Sequence, residues 1–511
     1  MFEKQVADAF GLVLAKRKSI EKLTIAFDGQ QAAAVEAFVK AIGAEVTLLS
    51  LLPNNSLDKV RWDFAQDSFP RLDRLVLSCV IPVPVPGASL LSLTHLYLHD
   101  VLESFSDVDR SEKPWTFAHR FLAACPNLET LRTVDSFEYP LEYLDLHNDY
   151  DDLPVVTLPR LHHLSVEGQA LDTSTALGTL RLPTLSTFDI TAFPGRDPYD
   201  CDFYVIPQNV SESLPPIRRS RSLSFIAGGR ANDLSLRGGP GPGPNSTFSN
   251  DSESDCQWSI TLPDLAATHA RSDLLGLPCC IRYTCARFLA RLPHLVVPSI
   301  LVRLELHVAD GLPIPALGDL ARFFEDMTRL RTLVIGSDKL IARVLEAFEA
   351  EAESRVCPQL EELELCLGEG PTRAEVGPLV EFVARTVGAW VRGGGMKLQT
   401  LTLLVRMGSD ADGEDLGPRS GSDAAPDVVV DVVGQRGGFQ VDDGAGSAHD
   451  SELAYLKLWC DLSATLKSEG SESVGEVRLK MVDCAACNVE YKPVDSVEFD
   501  DGVLSEDVTY Y

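Results

Sequence analysis

Apolar residues recur along this chain in one phrase, Leu-x-x-Leu-x-Leu. The clearest copies begin at Leu72 (Leu75, Leu77), Leu93 (Leu96, Leu98) and Leu141 (Leu144, Leu146). Others begin at Leu161 (Leu164, Val166), Leu185 (Phe188, Ile190), Leu301 (Leu304, Leu306), Leu330 (Leu333, Ile335), Leu360 (Leu363, Leu365) and Leu398 (Leu401, Leu403). Degenerate copies sit at Ile20 (Leu23, Ile25), Leu128 (Leu131, Thr133) and Val474 (Val477, Leu479). The last two apolar positions alternate with polar ones, the period of a strand buried on one face. Helical spacing often precedes the phrase: Ile281, Cys285, Phe288, Leu289 and Leu292 share one helical face, as do Val344, Leu345 and Phe348. A second phrase, Arg-Phe-Leu/Phe, comes shortly before three copies, at Arg120-Phe121-Leu122, Arg287-Phe288-Leu289 and Arg322-Phe323-Phe324.

A short strand with a returning helix cannot bury its apolar stripe alone; stacked copies share one continuous core. Neighbouring copies lie about 20–30 residues apart, close to the leucine-rich-repeat range of about 20–29. The expected fold is α/β, an irregular leucine-rich-repeat solenoid with a curved parallel sheet and helices on its convex side. A doubly wound α/β domain would have near-continuous apolar central strands. Here the strands alternate, and no Gly-rich phosphate loop follows any of them.

Cys125-Pro126-Asn127-Leu128-Glu129-Thr130-Leu131 and Cys357-Pro358-Gln359-Leu360-Glu361-Glu362-Leu363-Glu364-Leu365 resemble the cysteine-containing leucine-rich repeats of F-box proteins. The irregular repeat length and long polar insertions resemble the large fungal set of such proteins. The resemblance covers most of the chain, loosely between about 195 and 300. It implies the substrate-recognition solenoid of a ubiquitin-ligase adaptor. The Leu-Pro-x-Glu opening of an F-box is not found. The chain starts Met1-Phe2-Glu3-Lys4-Gln5-Val6 and reaches its first strand-like copy by Ile20. A Skp-type adaptor is therefore expected as partner only if an F-box lies upstream.

Six segments are expected. Residues 1–19 form an N-terminal capping helix, with Phe2, Val6, Phe10 and Val13 on one face. Residues 20–236 carry the first block of repeats and 257–407 the second. Between them, 237–256 reads as a disordered insertion, because Gly238-Gly239-Pro240-Gly241-Pro242-Gly243-Pro244 sustains neither strand nor helix. Residues 408–450 read as a second, acidic disordered insertion in which Val428–Val433 could form one strand. Its Asp410–Asp415 run does not follow the calcium-loop ligand order. Residues 451–511 read as a helix and strand cap, with Leu453, Leu456, Trp459, Leu462 and Leu466 on one helical face.

Composition narrows the function. Among 511 residues the formal net charge is −30, which disfavours nucleic acid and anionic membranes as partners. No stretch of eighteen apolar residues and no secretory h-region is seen, so the chain is expected in the cytoplasm or nucleus. The twelve cysteines then read as reduced thiols, with Cys125 and Cys357 as small buried hydrophobes. Cys484-Ala485-Ala486-Cys487 lacks a second pair nearby, so no metal or other cofactor is expected. Arg218-Arg219-Ser220-Arg221-Ser222, the one basic cluster, reads as a solvated loop.

The residues between and just after the last two apolar positions should point away from the core. They define a candidate concave binding surface of Tyr97, His99, Asp145, His147, Ser165, Glu167, Asp189, Glu305, His307 and Glu364. His99, His147 and His307 occupy the same slot of the phrase. With the Leu128 copy between the first two, they stand about two strand spacings of about 4.8 Å apart, too far for a shared metal. No nucleophile elbow, His-Glu-x-x-His or phosphate-binding Gly-Lys-Ser/Thr is present, so the reading is non-enzymatic. The function expected is a monomeric protein-interaction scaffold with a protein partner on the concave surface. The alternative is a hydrolase or transferase on an irregular α/β fold. Limited proteolysis should cut first within 237–256 and 408–450, leaving fragments near 1–236, 257–407 and 451–511 still associated. Protection of either tract while neighbouring repeats are cleaved would contradict the reading.

Overall fold

The structure is a computed structural model. It describes residues 20–54, 60–85, 89–101, 116–136, 155–193, 205–207, 209–228, 234–241, 257–263, 280–309, 312, 314–350, 356–367, 382–383, 385–387, 398–407, 430–433 and 476–483. The expected capping helix at 1–19, the Leu141 copy, Cys484 and Cys487, and the helix at 453–466 lie outside them. The chain divides into two compact units, Met1–Gly241 with Gln257–Arg329, and Pro242–Cys256 with Leu330–Tyr511.

In the first unit the elements are β1 (Lys22–Phe27), α1 (Ala32–Ile42), β2 (Leu48–Pro53), β3 (Val60–Phe64), β4 (Arg74–Ser78), β5 (Val80–Pro84) and β6 (His95–His99). Then come α2 (Thr116–Ala123), β7 (Thr130–Val134), β8 (Val156–Thr157), β9 (His163–Gln169), α3 (Ala170–Gly178), β10 (Leu180–Arg181) and β11 (Thr187–Phe193). After α4 (Val210–Ser213) and α5 (Pro215–Arg219) follow β12 (Ser222–Ala227), β13 (Leu234–Gly239), β14 (Trp258–Leu262), α6 (Cys280–Leu295), β15 (Arg303–Val308) and α7 (Leu317–Glu325). The main sheet of this unit runs β1-β2-β4-β6-β7-β9-β11-β14-β13-β12-β15. All neighbours are parallel except those flanking β13.

The phrase read from the sequence is the unit of this sheet. Its first leucines, Leu72, Leu93, Leu128, Leu161, Leu185 and Leu301, are all fully buried. So are the next two positions, for example Leu75 with Leu77, Leu96 with Leu98 and Leu304 with Leu306. Just ahead of each strand, the backbone bonds to the same place one repeat earlier. Thr47 N–H donates to the Glu21 carbonyl at 2.8 Å, Asp73 to Thr47 at 2.9 Å and Thr94 to Asp73 at 2.9 Å. Glu129 donates to Thr94 at 2.8 Å, His162 to Glu129 at 2.8 Å and Ser186 to His162 at 3.0 Å. Hydroxyls reinforce the link, Thr47 Oγ1 to Glu21 O at 3.0 Å and Ser186 Oγ to His162 O at 2.9 Å. Behind the sheet, the Arg-Phe phrase closes the returning helices. Phe121 of α2 meets Phe64 of β3 edge-on at 6.0 Å, and Phe288 of α6 meets Phe225 of β12 at 6.5 Å.

The structure departs from the expected plan in four ways. Helices do not supply every returning segment: β3 pairs with β5, and β8 with β10, as small parallel sheets. Val80-Ile81-Pro82-Val83-Pro84 explains the first, since β-branched residues and two prolines suit an extended edge and not a helix. Next, the strand beside that of the Leu128 copy is that of the Leu161 copy, β7 pairing directly with β9 and Leu131 standing opposite Leu164. Third, the sheet is not one strand per repeat in sequence order. β12, β13 and β14 form an antiparallel meander that doubles back, placing β14 beside β11.

That meander also revises the insertion boundary at 236. β13 continues through Gly238 and Gly239 because the missing side chain makes room for a neighbour. Gly238 lies opposite Trp258, and a Cβ built on it would stand 2.3 Å from the Trp258 ring. Trp258 stacks on Phe188 at 5.4 Å and donates from Nε1 to Ser220 Oγ at 2.7 Å. Lastly, Arg218–Ser222 is not a solvated loop. Ser220 is buried and donates to the Pro216 carbonyl at 2.8 Å, Arg218 donates to the His294 carbonyl at 2.8 Å, and Ser222 begins β12.

In the second unit, β16 (Thr332–Gly336), α8 (Asp338–Ala350), β17 (Glu362–Leu367), β18 (Thr400–Met407), β19 (Val430–Val433) and β20 (Glu476–Asp483) follow the same plan. The order is β16-β17-β18-β20-β19, parallel except for β19 against β20. Leu330, Leu360 and Leu398 are fully buried, as are Val344, Leu345 and Phe348 of α8. Glu361 N–H donates to the Arg331 carbonyl at 2.8 Å and Gln399 N–H to Glu361 at 2.7 Å, repeating the link of the first unit. The 408–450 stretch thus contributes a paired strand.

Gly238→Ala should destabilise the first unit by about 1–3 kcal/mol through overpacking against Trp258. Thermal denaturation checks this, and an unchanged melting point would show that the indole has room to move.

Candidate functional site

Strand register sets the candidate surface of the first unit. Residues between the two inward apolar positions form one row across the sheet. It reads Thr24, Ser50, Val76, Tyr97, Arg132, Ser165, Asp189, Ser259, Arg237, Ser224 and Glu305. A second row, two residues on, runs through Ser78, His99, Val134, Glu167 and Thr191 and ends at Ile226 and His307. Of the residues expected on this surface, Tyr97, His99, Ser165, Glu167, Asp189, Glu305 and His307 take the outward positions and are partly exposed. Asp145 and His147 lie outside the described residues. The residue beyond Tyr97 and before Ser165 in the row is Arg132.

Arg132 was available from the same arithmetic. It is the middle residue of the Leu128 copy, whose third apolar position is Thr133. Its guanidinium carbon lies 5.1 Å from the Tyr97 ring centroid, a cation–π contact. Ser259, Arg237 and Ser224 had no such signal, because they enter the row only through the meander. There Ser259 donates to the Asp189 carboxylate, and Arg237 Nε donates to Ser235 Oγ at 3.2 Å.

The strands β4, β6 and β7 each end in a left-handed residue that is not glycine: Cys79 at φ 53°, Asp100 at 49° and Asp135 at 44°. Each continues the ladder by one bond. Cys79 N–H donates to His99 O at 2.9 Å, Asp100 to Val134 O at 2.9 Å and Asp135 to Glu167 O at 2.8 Å. Asp tolerates this conformation better than most residues, since its short side chain bonds locally. The result is that carboxylates gather where the strands end. At the opposite end the row holds Arg74, His95, Thr130 and His163.

Charge states differ along the surface. Burial, with the charges of Asp135 and Asp189, raises the Glu167 carboxyl above its ordinary range against the opposing pull of Arg132 and His99. Burial also raises Glu305, but hydrogen bonds from His307 and Ser224 and the charges of His307 and Arg303 outweigh it, leaving Glu305 below its ordinary range. The Glu305–His307 contact is 2.9 Å. Burial lowers the imidazoles of His95, beside Arg74, and His163, beside His162. His99 Nδ1 and Ser78 Oγ lie 3.1 Å apart. His99 and His307 do share one row, at strands far apart in the sheet.

The second unit presents a different surface. Glu364 is outward and half-buried, with Cys366 Sγ at 3.8 Å, but its row neighbours Val334 and Thr402 are buried. Buried thiols elsewhere are chemically quiet: burial pushes Cys125 and Cys285 up to about 12, and Cys357 up as well. Among the described residues, no group of three or more His, Cys, Asp or Glu is placed to hold a metal ion. Among the same residues no helix is long and apolar enough to cross a membrane.

No family model matches the chain, and a comparison with curated proteins finds no match. Among solved structures it is similar to the leucine-rich-repeat-containing protein LegL7 from Legionella pneumophila, at 15% identity over 64% of this chain and 98% of that one. The TM-score is 0.17, so the functional reading rests on this chain's own residues.

Glu167 and Glu305 should respond to pH with opposite sign. Ionised Glu167 opposes folding, so Glu167→Gln should melt slightly higher than wild type at pH 7–8, the gap closing below the ordinary Glu range. Ionised Glu305 supports folding above its ordinary range and loses that support as pH falls through its depressed folded value. Glu305→Gln should therefore melt lower at neutral pH. Melting curves of both variants between pH 3 and 8 check the pair of signs.

Proposed function

We propose that the chain is a leucine-rich-repeat interaction scaffold that binds a protein partner on the outward face of its sheet. The observation that carries this is the register. It aligns Tyr97, Arg132, Ser165 and Asp189 side by side on consecutive strands, with Glu167 in the adjacent row. Rigidly spaced aromatic, cationic and anionic groups suit a broad protein surface, where a few anchors such as Tyr97 and Arg132 supply most of the affinity. Titratable groups spread along rows at strand spacing favour binding over hydrolase or transferase chemistry, which needs them to converge. In a finer reading the scaffold selects substrates for an F-box type ubiquitin ligase in the cytoplasm or nucleus. The Cys-Pro-x-Leu phrases support that reading, and a Skp-type adaptor would join through an F-box segment.

The test compares proteins retained by tagged full-length chain. Ser165→Arg with Thr191→Arg places bulk and charge on the outward face; Ala33→Arg with Ala37→Arg places them on the exposed side of α1. Specific partners should drop by about tenfold with the first pair only. Identical sets for wild type and both variants would overturn the scaffold reading.

A further inference from the structure

The stretch of the outward face from β6 to β11 is unequal in charge. Four neighbouring strands or their ends contribute Asp100, Asp135, Glu167 and Asp189. In the two rows over the same strands the described basic groups are Arg132, which lies against the Tyr97 ring, and the His99 imidazole. Asp135 is exposed and Glu167 half-buried, and among the described residues neither forms an ion pair. Asp135 and Glu167, on adjacent strands, are joined by a backbone bond of 2.8 Å, which keeps two carboxylate-bearing residues side by side.

We infer that this face takes a basic, extended segment of a protein partner, with Arg or Lys side chains set against Glu167, Asp135 and Asp189. The inference rests on the scaffold reading and names its partner's chemistry. Charge complementarity is the reason: a partner cation relieves the crowding of like charges that the fold holds in place. The overall charge of −30 argues the same way and repels nucleic acid and anionic lipid. Geometry sets the form. Four strands at about 4.8 Å span about 14 Å, the length of about four extended residues, so two or three side chains on one side of the segment, about 7 Å apart, lie over the four strands. Tyr97 and Arg132, on the first two of the four strands, form a mixed aromatic and cationic pair that leaves the anionic groups toward β9 and β11 and at the strand ends.

The probe is a fluorescein-labelled peptide of alternating Arg and Gly, with a Glu/Gly peptide of equal length as its counterpart, titrated by anisotropy with the full chain. Glu167→Gln with Asp189→Asn removes two charges from the face. Asp319→Asn with Glu325→Gln removes two exposed charges from α7. The Arg peptide should bind wild type and weaken by about tenfold with the face variant, against less than about twofold with the α7 variant. If the double face variant fails to fold, Glu167→Gln alone carries the test, with a loss of about threefold expected. Equal weakening by both pairs, no weakening, or tighter binding of the Glu peptide would overturn the inference. The scaffold reading would stand or fall separately, on the retained-protein comparison with Ser165→Arg and Thr191→Arg.

Discussion

The rest of the first unit depends on the hydrogen bond that the residue ahead of each strand makes to the same residue one repeat earlier. From Glu21 through Thr47, Asp73, Thr94, Glu129 and His162 to Ser186, each N–H meets the preceding carbonyl. A parallel strand can slip by one residue only by turning its buried side chains outward. The link removes that freedom before the strand begins, and the buried leucine next to it makes slippage costly. The spacing between linked residues varies, 26 for Thr47 and Glu21, 21 for Thr94 and Asp73, 24 for Ser186 and His162. The sheet therefore tolerates returning segments of different length and kind, helix α1 in one repeat and strand β3 in the next, because register is set by the strands and the bonds flanking them and not by the segment that returns.

Constant register converts one-dimensional pattern into two-dimensional surface chemistry. The left-handed ends at Cys79, Asp100 and Asp135 continue the ladder, and the latter two set aspartates at the ends of neighbouring strands. The same constraint is borne at Thr133, which fills a leucine position and whose buried hydroxyl finds no hydrogen-bond partner among the described residues. That copy keeps its place in the sheet and supplies Arg132, the residue that faces Tyr97.

The β12–β14 meander obeys the same rule by different means. Its antiparallel strands keep the outward row continuous, Ser259, Arg237 and Ser224 following Asp189 and leading to Glu305. Inside, Trp258 extends the stack begun by Phe188, and Gly238 leaves the space for it. Gly238 and Gly239, the first residues of a tract rich in glycine and proline, are thereby built into the sheet.

The strand positions at Leu72, Leu93, Leu161, Leu185 and Leu301, and at Leu330, Leu360 and Leu398, were determined by the sequence, because alternation and a fully buried leucine are local properties of the phrase. The same holds for the outward placement of Tyr97, Ser165, Glu167, Asp189 and Glu305, which follows from period two. Adjacency was decided only by the tertiary structure. Which strand follows β7, where β14 lies, why Gly238 sits in a strand and why Ser220 is buried all depend on contacts between residues distant in sequence. A repeat phrase specifies what each strand needs from a neighbour; the neighbour itself is chosen by whichever strand can supply it.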